Sequence, residues 1–367
     1  MTDRFAVTYR VRSDAASIAA RAEAIAVEQS VEMPLAAIDE PAVLTDIVGR
    51  VEDIADRGDG TFVVRIDMAT ATVGQDAGQF LNMVFGNTSL HDDVVLEDIA
   101  VPASLAALFG GPRHGIPGLR ARLGVRGRAF TGSALKPQGL APERLAELAE
   151  WFARGGLDFI KDDHGLADQD YGRFAVRVSA CAAAVARAVR DTGHPTRYIP
   201  SITGDLDQMR AQLRLTQEAG LDCAMVVPMI AGFASIQAIR RDFPTMALFA
   251  HPSLGGAARI APALLIGSLF RLLGADAVIF PNHGGRFGYA PQTCRHLVRN
   301  ARRTDDGLRP ALPVPAGGMT LARTGEILDF YGPDTMLLIG GNLLMARARI
   351  AEEAAAFARS VAQHPYR

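Results

Sequence analysis

Hydrophobic and polar residues alternate in two different ways along the chain, and this change divides it into two regions. In roughly the first 110 residues, segments with a two-residue period flank segments with a helical period. The predicted strands are Phe5–Val11, Ile47–Asp53 and Thr61–Asp67, and the predicted helices are Ser13–Val27 and Gly78–Phe85. This pattern predicts a small α+β domain of the ferredoxin-like type.

From about residue 124, short apolar runs alternate with longer helical segments. The predicted strands are Arg128–Lys136, Leu157–Asp163, Arg197–Thr203, Cys223–Met229, Thr245–His251, Ala275–Pro281, Leu312–Ala316 and Thr335–Ile339. The predicted helices between them include Pro142–Arg154, Tyr171–Thr192, Leu206–Ala219, Ser235–Asp242, Ala261–Leu273 and Ala322–Tyr331. A doubly wound sheet is the alternative, but eight regular βα units favour closure into a (β/α)8 TIM barrel.

The stretch GGPRHGIPG, residues 110–118, lies between the two regions. Its glycine and proline content is typical of a linker. We therefore predict an N-terminal α+β domain over residues 1–115 and a C-terminal barrel domain over residues 116–367. The total length suits this division, because a barrel of roughly 250 residues leaves roughly 100 for a second domain.

Composition narrows the range of functions. Hydrophobic residues make up 49% of the chain, charged residues 21%, and the net charge of −2 does not favour nucleic acid as a partner. The apolar runs are short or interrupted, so no membrane span is predicted, and the N-terminus lacks a signal-peptide core. The three cysteines have neither metal-site nor disulfide spacing. We therefore expect a cytoplasmic protein.

The ends of the predicted strands are where a barrel carries its chemistry. The first strand ends in ALKPQG, so Lys136 faces the barrel mouth. Partial burial would lower the pKa of this lysine and make it a base near neutral pH. The alternative is a lysine whose stem packs on the rim while its amine stays in water.

The second strand ends in the stretch GLDFIKDDHG. With a two-residue period, Lys161 and Asp163 share one face, Asp162 takes the other, and His164 begins the loop. Carboxylate oxygens attract a hard cation such as Mg²⁺, whereas a charged lysine repels it unless CO₂ converts that lysine to a carbamate. The alternative is a Lys–Asp ion pair that stabilises the barrel end.

Four later strand ends carry further candidate site residues. A histidine such as His251 is more often structural than catalytic, and Arg286 on a glycine-rich loop could bind an anion or be solvated. Glycine pairs, Gly317–Gly318 and Gly340–Gly341, open the helices after the last two strands. Such pairs let backbone N–H groups approach a phosphate, although two tight turns would use the same residues.

Taken together, these motifs resemble one known family. GLDFIKDDHG, ALKPQG, CAMVVPMIAGFASIQAIRR, and the AGG and GG segments of the last strands resemble the RuBisCO large subunit in their order along the chain. The resemblance covers essentially the whole chain and is closest to the RuBisCO-like proteins, which lack carboxylase activity. It implies the same two-domain fold.

The resemblance also implies roles for individual residues. Lys161 corresponds to the lysine that CO₂ carbamylates and that binds Mg²⁺, Asp163 corresponds to a carboxylate ligand, and His164 stands where the family has a glutamate ligand. Lys136 corresponds to the base that enolises the substrate, and His251 to an active-site histidine.

Two residues of the N-terminal region correspond to groups that the family donates across a dimer. AVEQS resembles a family segment whose glutamate enters the neighbouring subunit's site, which assigns that role to Glu28. VFGN assigns the second such role to Asn87. The resemblance therefore implies at least a homodimer with shared sites.

The departures from the family pattern bear on the reaction. Gln138 replaces the second lysine of the KPK motif, Pro252 replaces a phosphate-binding arginine, and His164 replaces a metal ligand. The loop HGGRFG lacks the lysine that steadies CO₂, and Met33 stands where a threonine is expected. We therefore expect enolisation of a substrate with one phosphate, without carboxylation.

The branch of the family that this pattern resembles most is the isomerase of 5-methylthioribulose 1-phosphate, with Met33 and Phe287 as candidate contacts of the methylthio group. The alternative is the 2,3-diketo-5-methylthiopentyl-1-phosphate enolase of methionine salvage. An enzyme acting on another sugar-acid phosphate and a non-enzymatic relative are further alternatives. The survival of Lys136, Lys161, Asp163 and His251 disfavours the last.

Overall fold

The N-terminal region is an antiparallel sheet with two helices. The computed structural model describes residues 3–366. The elements are β1 (Arg4–Arg12), α1 (Ile18–Glu28), β2 (Arg50–Asp56), β3 (Thr61–Ala69), α2 (Ala77–Phe85) and β4 (Val94–Ala100), followed by α3 (Ala103–Phe109). The strand order β2-β3-β1-β4 with this βαββαβ sequence is the ferredoxin-like arrangement that the sequence predicts.

Two details of this region differ from the sequence prediction. The first helix begins at Ile18 and not at Ser13, because the Asp14 carboxylate accepts the backbone N–H groups of Ala16 and Ser17 and forms a separate turn. Strand β4 was not predicted, since the acidic pair in VVLEDIA interrupts its short apolar run. Its pairing with β1 nevertheless completes the sheet.

The second region contains eight parallel strands in two sheets with the orders β12-β5-β6-β7 and β8-β9-β10-β11. The strands are β5 (Phe130–Leu135), β6 (Phe159–Asp162), β7 (Arg197–Ile199), β8 (Cys223–Val226), β9 (Ala247–Ala250), β10 (Ala277–Pro281), β11 (Leu312–Ala316) and β12 (Met336–Leu338). Met225 N–H donates to Pro200 O at 2.8 Å and joins β7 to β8. Thr335 Oγ1 donates to Pro313 O at 3.0 Å and joins β11 to β12. The result is the predicted (β/α)8 barrel.

Helices cover the outside of the barrel. They are α5 (Pro142–Arg154), α6 (Phe174–Thr192), α7 (Leu206–Glu218), α8 (Pro228–Ala231), α9 (Phe233–Asp242), α10 (Phe270–Leu272), α11 (Pro291–Ala301), α12 (Thr324–Tyr331), α13 (Gly341–Leu344) and α14 (Ile350–Ala362), whereas α4 (Gly115–Leu123) lies at one end of the barrel. The predicted helix Ala261–Leu273 is instead a π-helix over Ala263–Leu269 that continues into α10. No helix within residues 3–366 is long and apolar enough to cross a membrane.

Helix α4 closes the N-terminal end of the barrel. Ile116, Leu119 and Leu123 from this helix are buried in one cluster with inward-facing side chains from all eight strands, including Phe130 and Phe159. The linker prediction for residues 110–118 was therefore wrong at its end, since Gly115 already begins a helix that fills the barrel. The predicted domain boundary after residue 115 stays a prediction.

Four aspartates at the N-terminal ends of alternate strands hold α4 in position. Asp158, Asp222, Asp276 and Asp334 stand just before β6, β8, β10 and β12. Their partners are Arg128 for Asp158 at 2.7 Å, Arg122 for Asp222 at 2.9 Å, Arg120 for Asp334 at 2.7 Å, and the backbone N–H groups of His114 and Gly115 for Asp276 at 2.7 and 2.8 Å. Each partner belongs to α4 or lies within five residues of it.

Candidate active site

A cavity of about 690 Å³ opens at the C-terminal ends of the barrel strands. Its walls come from β5, β6 and β9–β12 and from the loops that follow them. Ten of the twelve residues that the sequence predicts for the site line it: Lys136, Lys161, Asp163, His164, His251, Arg286, Gly317, Gly318, Gly340 and Gly341. The structure thus brings together groups spread over two hundred residues of sequence.

The predicted base, Lys136, forms an ion pair inside this cavity. Its Nζ lies 2.5 Å from Oδ1 of Asp163, which is 9% exposed. Burial alone would raise the pKa of Asp163, but hydrogen bonds from His164 and Lys136, together with the charges of Lys136 and Lys161, lower it well below its usual value. Asp163 therefore stays ionised and holds the Lys136 amine at the cavity wall.

Lys161 is buried beneath that pair. Its side chain is 3% exposed, and its Nζ donates to the backbone carbonyl of Asp162 at 2.8 Å. Burial lowers the pKa of Lys161 to about 8, although the charge of Asp163 opposes the change. About a tenth of this lysine is thus a neutral amine at pH 7, which is the form that reacts with CO₂.

Asp162 points to the other side of β6, as the period-two pattern predicts. Its carboxylate accepts hydrogen bonds from Tyr198 Oη at 2.7 Å, Arg177 Nε at 3.1 Å and Ser201 N at 3.0 Å. All four residues are buried. The two neighbouring aspartates of the KDD segment therefore differ in role, because one anchors the barrel wall and the other faces the cavity.

The two predicted site histidines stack on each other. The rings of His164 and His251 are 4.3 Å apart between centroids and 8° from parallel. Nδ1 of His251 accepts the Ser253 backbone N–H at 3.3 Å and lies 3.0 Å from the Ser253 hydroxyl. Because a backbone N–H can only donate, the neutral His251 ring carries its proton on Nε2. Burial and the charge of Lys161 lower the pKa of His251 to about 2, so the ring is neutral.

The first glycine pair makes room for neighbouring groups, whereas the second has only ordinary contact distances around it. Gly317 and Gly318 have φ values of +87° and +84°, and a Cβ on Gly317 would lie 2.9 Å from the ring of Phe287. A Cβ on Gly340 would come within 4.0 Å of the Lys136 side chain. The last glycine pair therefore lies beside the predicted base, and both pairs expose backbone to the cavity.

The loop after β10 is fastened to the loop after β11. Arg286 N–H donates to Gly317 O at 3.0 Å, and Asn282 N–H donates to Ala316 O at 2.8 Å. The Arg286 guanidinium lies 5.1 Å from the centre of the Phe287 ring, and both side chains line the cavity. One cation and one aromatic ring thus stand where the RuBisCO pattern has a lysine.

Glu28 and Asn87 lie outside this cavity, in the N-terminal domain. Asn87 Nδ2 donates to Glu28 Oε1 at 2.8 Å and to Glu32 Oε1 at 3.0 Å. The structure therefore brings the two predicted dimer residues together with each other and not with Lys136. Met33, the predicted methylthio contact, is also absent from the cavity lining, whereas Phe287 belongs to it.

The sequence prediction missed several residues of the cavity. Ser253 binds His251, Asn342 Oδ1 accepts the Leu321 N–H at 3.0 Å, and Leu254 lies on the lip. Leu254 and Ser253 immediately follow the motif AHP, but neither residue type signals a site by itself. Only the turn that brings Ser253 back to His251 and leaves Leu254 at the cavity identifies them.

The side chains near Asp163 suit a divalent cation under one condition. Within residues 3–366, no group of three His, Cys, Asp or Glu side chains has the arrangement of a metal site. The available donors are the Asp163 carboxylate, the His164 imidazole and two lysine amines. Conversion of Lys161 to a carbamate would replace its positive charge with a negative one and add oxygen ligands, and with that change the donor set fits Mg²⁺. Imidazole is the less usual ligand among them.

Comparisons with known proteins identify the family of this chain. Residues 115–280 match the family described as ribulose bisphosphate carboxylase large chain, catalytic domain. A Rhodospirillum rubrum protein named 5-methylthioribulose-1-phosphate isomerase is 60% identical over 363 residues, which span 99% of this chain and 97% of that protein. The chain belongs to the RuBisCO-like proteins.

Other members of this family are similar over most of their length. The crystal structure of a RuBisCO-like protein from Rhodopseudomonas palustris is 46% identical, with a TM-score of 0.94 and full coverage of both chains. A Geobacillus kaustophilus protein named 2,3-diketo-5-methylthiopentyl-1-phosphate enolase is 31% identical over 77% of this chain and 70% of its own. The RuBisCO-like fold predicted from the sequence is confirmed.

Proposed function

We propose that this RuBisCO-like protein isomerises 5-methylthioribulose 1-phosphate to 1-methylthioxylulose 5-phosphate and its ribulose epimer, without carboxylation. The observation that carries the proposal is the Lys136–Asp163 ion pair in the cavity wall, beside the glycine pair at Gly340. It combines a proton carrier with backbone able to receive a phosphate. The 60% identity to the Rhodospirillum rubrum protein of that name supports the choice of substrate.

The reaction moves a carbonyl from C2 to C4 of the substrate and requires two enolisations. In the first, the C3 proton leaves, a 2,3-enediol forms, and a proton returns to C2. In the second, the C4 proton leaves, a 3,4-enediol forms, and a proton returns to C3. No atom is gained or lost, so the enzyme only has to carry protons and stabilise the enediols.

The residues of the cavity divide this work. Lys136 Nζ carries protons between adjacent substrate carbons, while Asp163 holds the amine in position. His251 donates its Nε2–H to a substrate oxygen. It acts as an uncharged donor, because its lowered pKa keeps the ring neutral. The glycine pairs and Arg286 hold the phosphate. Carbamylated Lys161, Asp163 and His164 would hold Mg²⁺, which when bound would supply electrostatic stabilisation of an enediolate.

Proton and phosphorus NMR tests the proposal. The protein is incubated with 5-methylthioribulose 1-phosphate, Mg²⁺ and bicarbonate in D₂O. We expect a new methylthio-pentulose 5-phosphate signal, with deuterium at the carbons that exchange protons. No reaction here, together with turnover of the 2,3-diketo-5-methylthiopentyl phosphate, would assign the protein to the enolase branch. No reaction with either would overturn the substrate proposal.

We further propose that the site is completed by a second copy of this chain, through Glu28 and Asn87. These residues bind each other at an exposed edge of the N-terminal domain. Co-expression of Glu28→Gln and Lys136→Met chains tests this, because a mixed dimer then contains one intact shared site. Recovery of about a quarter of wild-type activity is expected for random pairing in a two-fold dimer. No recovery above either single variant would contradict shared sites.

A further inference from the structure

The turn after β9 holds an apolar side chain in an unusual backbone conformation. Leu254 has a φ of +61°, in the left-handed region that branched side chains rarely adopt. The other non-glycine residues with positive φ in residues 3–366 are Glu32 and Arg347, and neither lines the cavity. The strained position in the cavity wall therefore belongs to a leucine.

The turn is built so that this conformation persists. Gly255 N–H donates to Pro252 O at 2.9 Å, and Ala257 N–H donates to Leu254 O at 3.0 Å. A Cβ at Gly255 would lie 2.9 Å from Pro252 O, so the close return of the chain needs a glycine there. Strain of this kind survives only where the surroundings fix it, and it concentrates at ligand-binding sites.

The strained conformation leaves the Leu254 side chain exposed. Leu254 is 57% exposed and lines the cavity, so its isobutyl group gains little from the protein's own core. Phe287, another exposed apolar residue of the cavity, instead packs against Gly317 and Arg286, on the side proposed for the phosphate. Leu254 thus stands in water at the cavity mouth, where an apolar part of a ligand would cover it.

Strand order places Leu254 opposite the Gly340–Gly341 pair of the proposed phosphate site. The closed barrel has the order β12-β5-β6-β7-β8-β9-β10-β11, in which β9 lies across from β5. Lys136 follows β5, and the Gly340–Gly341 pair follows its neighbour β12. A chain molecule that binds its phosphate there and extends across the mouth reaches the turn after β9 with its other end.

We propose that Leu254 is a specificity-determining residue, whose side chain contacts the methylthio end of the substrate and selects it over shorter or more polar ends. This inference rests on the proposed function for the identity of the substrate. It adds the residue that distinguishes a methylthio-pentulose phosphate from other pentulose phosphates at the same catalytic centre.

The test compares two substrates in two variants. Rates with 5-methylthioribulose 1-phosphate and with 5-deoxyribulose 1-phosphate, which lacks the methylthio group, give a ratio of kcat/KM values. Leu254→Asn should lower that ratio about tenfold, the size of effect expected when one apolar contact to a substrate is removed. The variant should fold, because asparagine tolerates positive φ better than leucine. Leu254→Met, which restores an apolar side chain, should recover most of the ratio.

A control and a binding measurement keep the outcomes distinct. Ile230→Asn alters an apolar residue of the same 57% exposure outside the cavity lining and should leave the ratio unchanged. Calorimetric binding of 5-methylthioribitol 1-phosphate and 5-deoxyribitol 1-phosphate, which cannot isomerise, gives a second ratio. If the wild type turns over neither sugar but binds the methylthio polyol more tightly, and Leu254→Asn loses that preference, the proposed function fails and the Leu254 inference stands. An unchanged ratio in Leu254→Asn, or no preference in the wild type, would overturn the inference.

Discussion

Charged side chains are paired at one end of the barrel and left partly unpaired at the other. At the N-terminal end, Asp158, Asp222 and Asp334 each meet an arginine, and Asp276 meets backbone N–H groups. At the C-terminal end, two lysines share the single carboxylate of Asp163. Each carboxylate at the N-terminal end therefore has a partner, whereas the C-terminal end keeps an excess of positive charge around the cavity.

The pKa values show what this difference does. Burial would raise the pKa of Asp158, but the hydrogen bonds and charge of Arg128, with the His194 ring nearby, more than offset it, and its pKa is lowered. At the other end, burial prevails over the nearby carboxylate and lowers the pKa of Lys161 to about 8. Paired charges at the first end stabilise the fold, whereas the uncompensated ones at the second are chemically reactive.

The largest expected effect is the loss of catalysis when Lys136 is replaced. Lys136→Met should lower kcat by about a thousandfold, because a positioned proton carrier contributes about 10² to 10⁴ in rate. Deuterium incorporation into the substrate, followed by proton NMR, measures it. Lys136→Arg is the matched control for charge: it preserves the contact with Asp163 but should be equally inactive. Retention of exchange in either variant would remove Lys136 from the proposed role.

The next effect lies at the opposite end and concerns stability. Asp276 is fully buried and accepts N–H groups of His114, Gly115 and Leu248. Asp276→Ala would leave these donors unpaired and should lower the free energy of unfolding by about 3–5 kcal/mol. Urea denaturation measures the change, and kcat per folded molecule should stay near wild type.

Asp305 provides the control for that comparison. This aspartate pairs with Arg303 but is 70% exposed in its side chain. Asp305→Ala should leave the urea midpoint unchanged within error. If Asp276→Ala instead lost activity and kept its stability, the division of labour between the two barrel ends would be wrong.

A third prediction follows from the pKa of Lys161. Below about pH 8 the amine is protonated, so forming a carbamate from CO₂ releases two protons; above it, only one is released. At fixed dissolved CO₂ and low occupancy, the logarithm of carbamate content should rise with pH at a slope near two, then near one, with the change at about pH 8. Carbon NMR with ¹³CO₂ measures this, and Lys161→Arg should lack the signal. A slope of two up to pH 10 would mean that burial does not shift this lysine.

Sequence predicted the two barrel ends unequally. The residues of the C-terminal end can be predicted from the sequence, because they follow apolar runs in recognisable motifs. The alternation in KDD correctly places Asp162 and Asp163 on opposite faces of the strand. The ion pairs of the N-terminal end cannot be predicted in this way, because single aspartates before strands have no local signature and their partners lie up to 214 residues away. The same limit applies to Ser253 and Leu254, whose roles depend on a turn that the sequence HPSLGG does not specify.

The smallest expected effect concerns how His251 is held. Ser253→Ala removes the hydroxyl 3.0 Å from Nδ1 but retains the backbone N–H at 3.3 Å. The Nε2–H tautomer should therefore persist, and kcat should fall only about three- to tenfold, the worth of one net hydrogen bond. Nitrogen NMR of the labelled ring identifies the tautomer directly. An Nδ1–H signal in the wild type would contradict the assignment, because Nδ1 would then face the Ser253 N–H as a second donor. That result would make His251 a candidate base and would remove the clearest example of an uncharged donor at the otherwise positive end of the barrel.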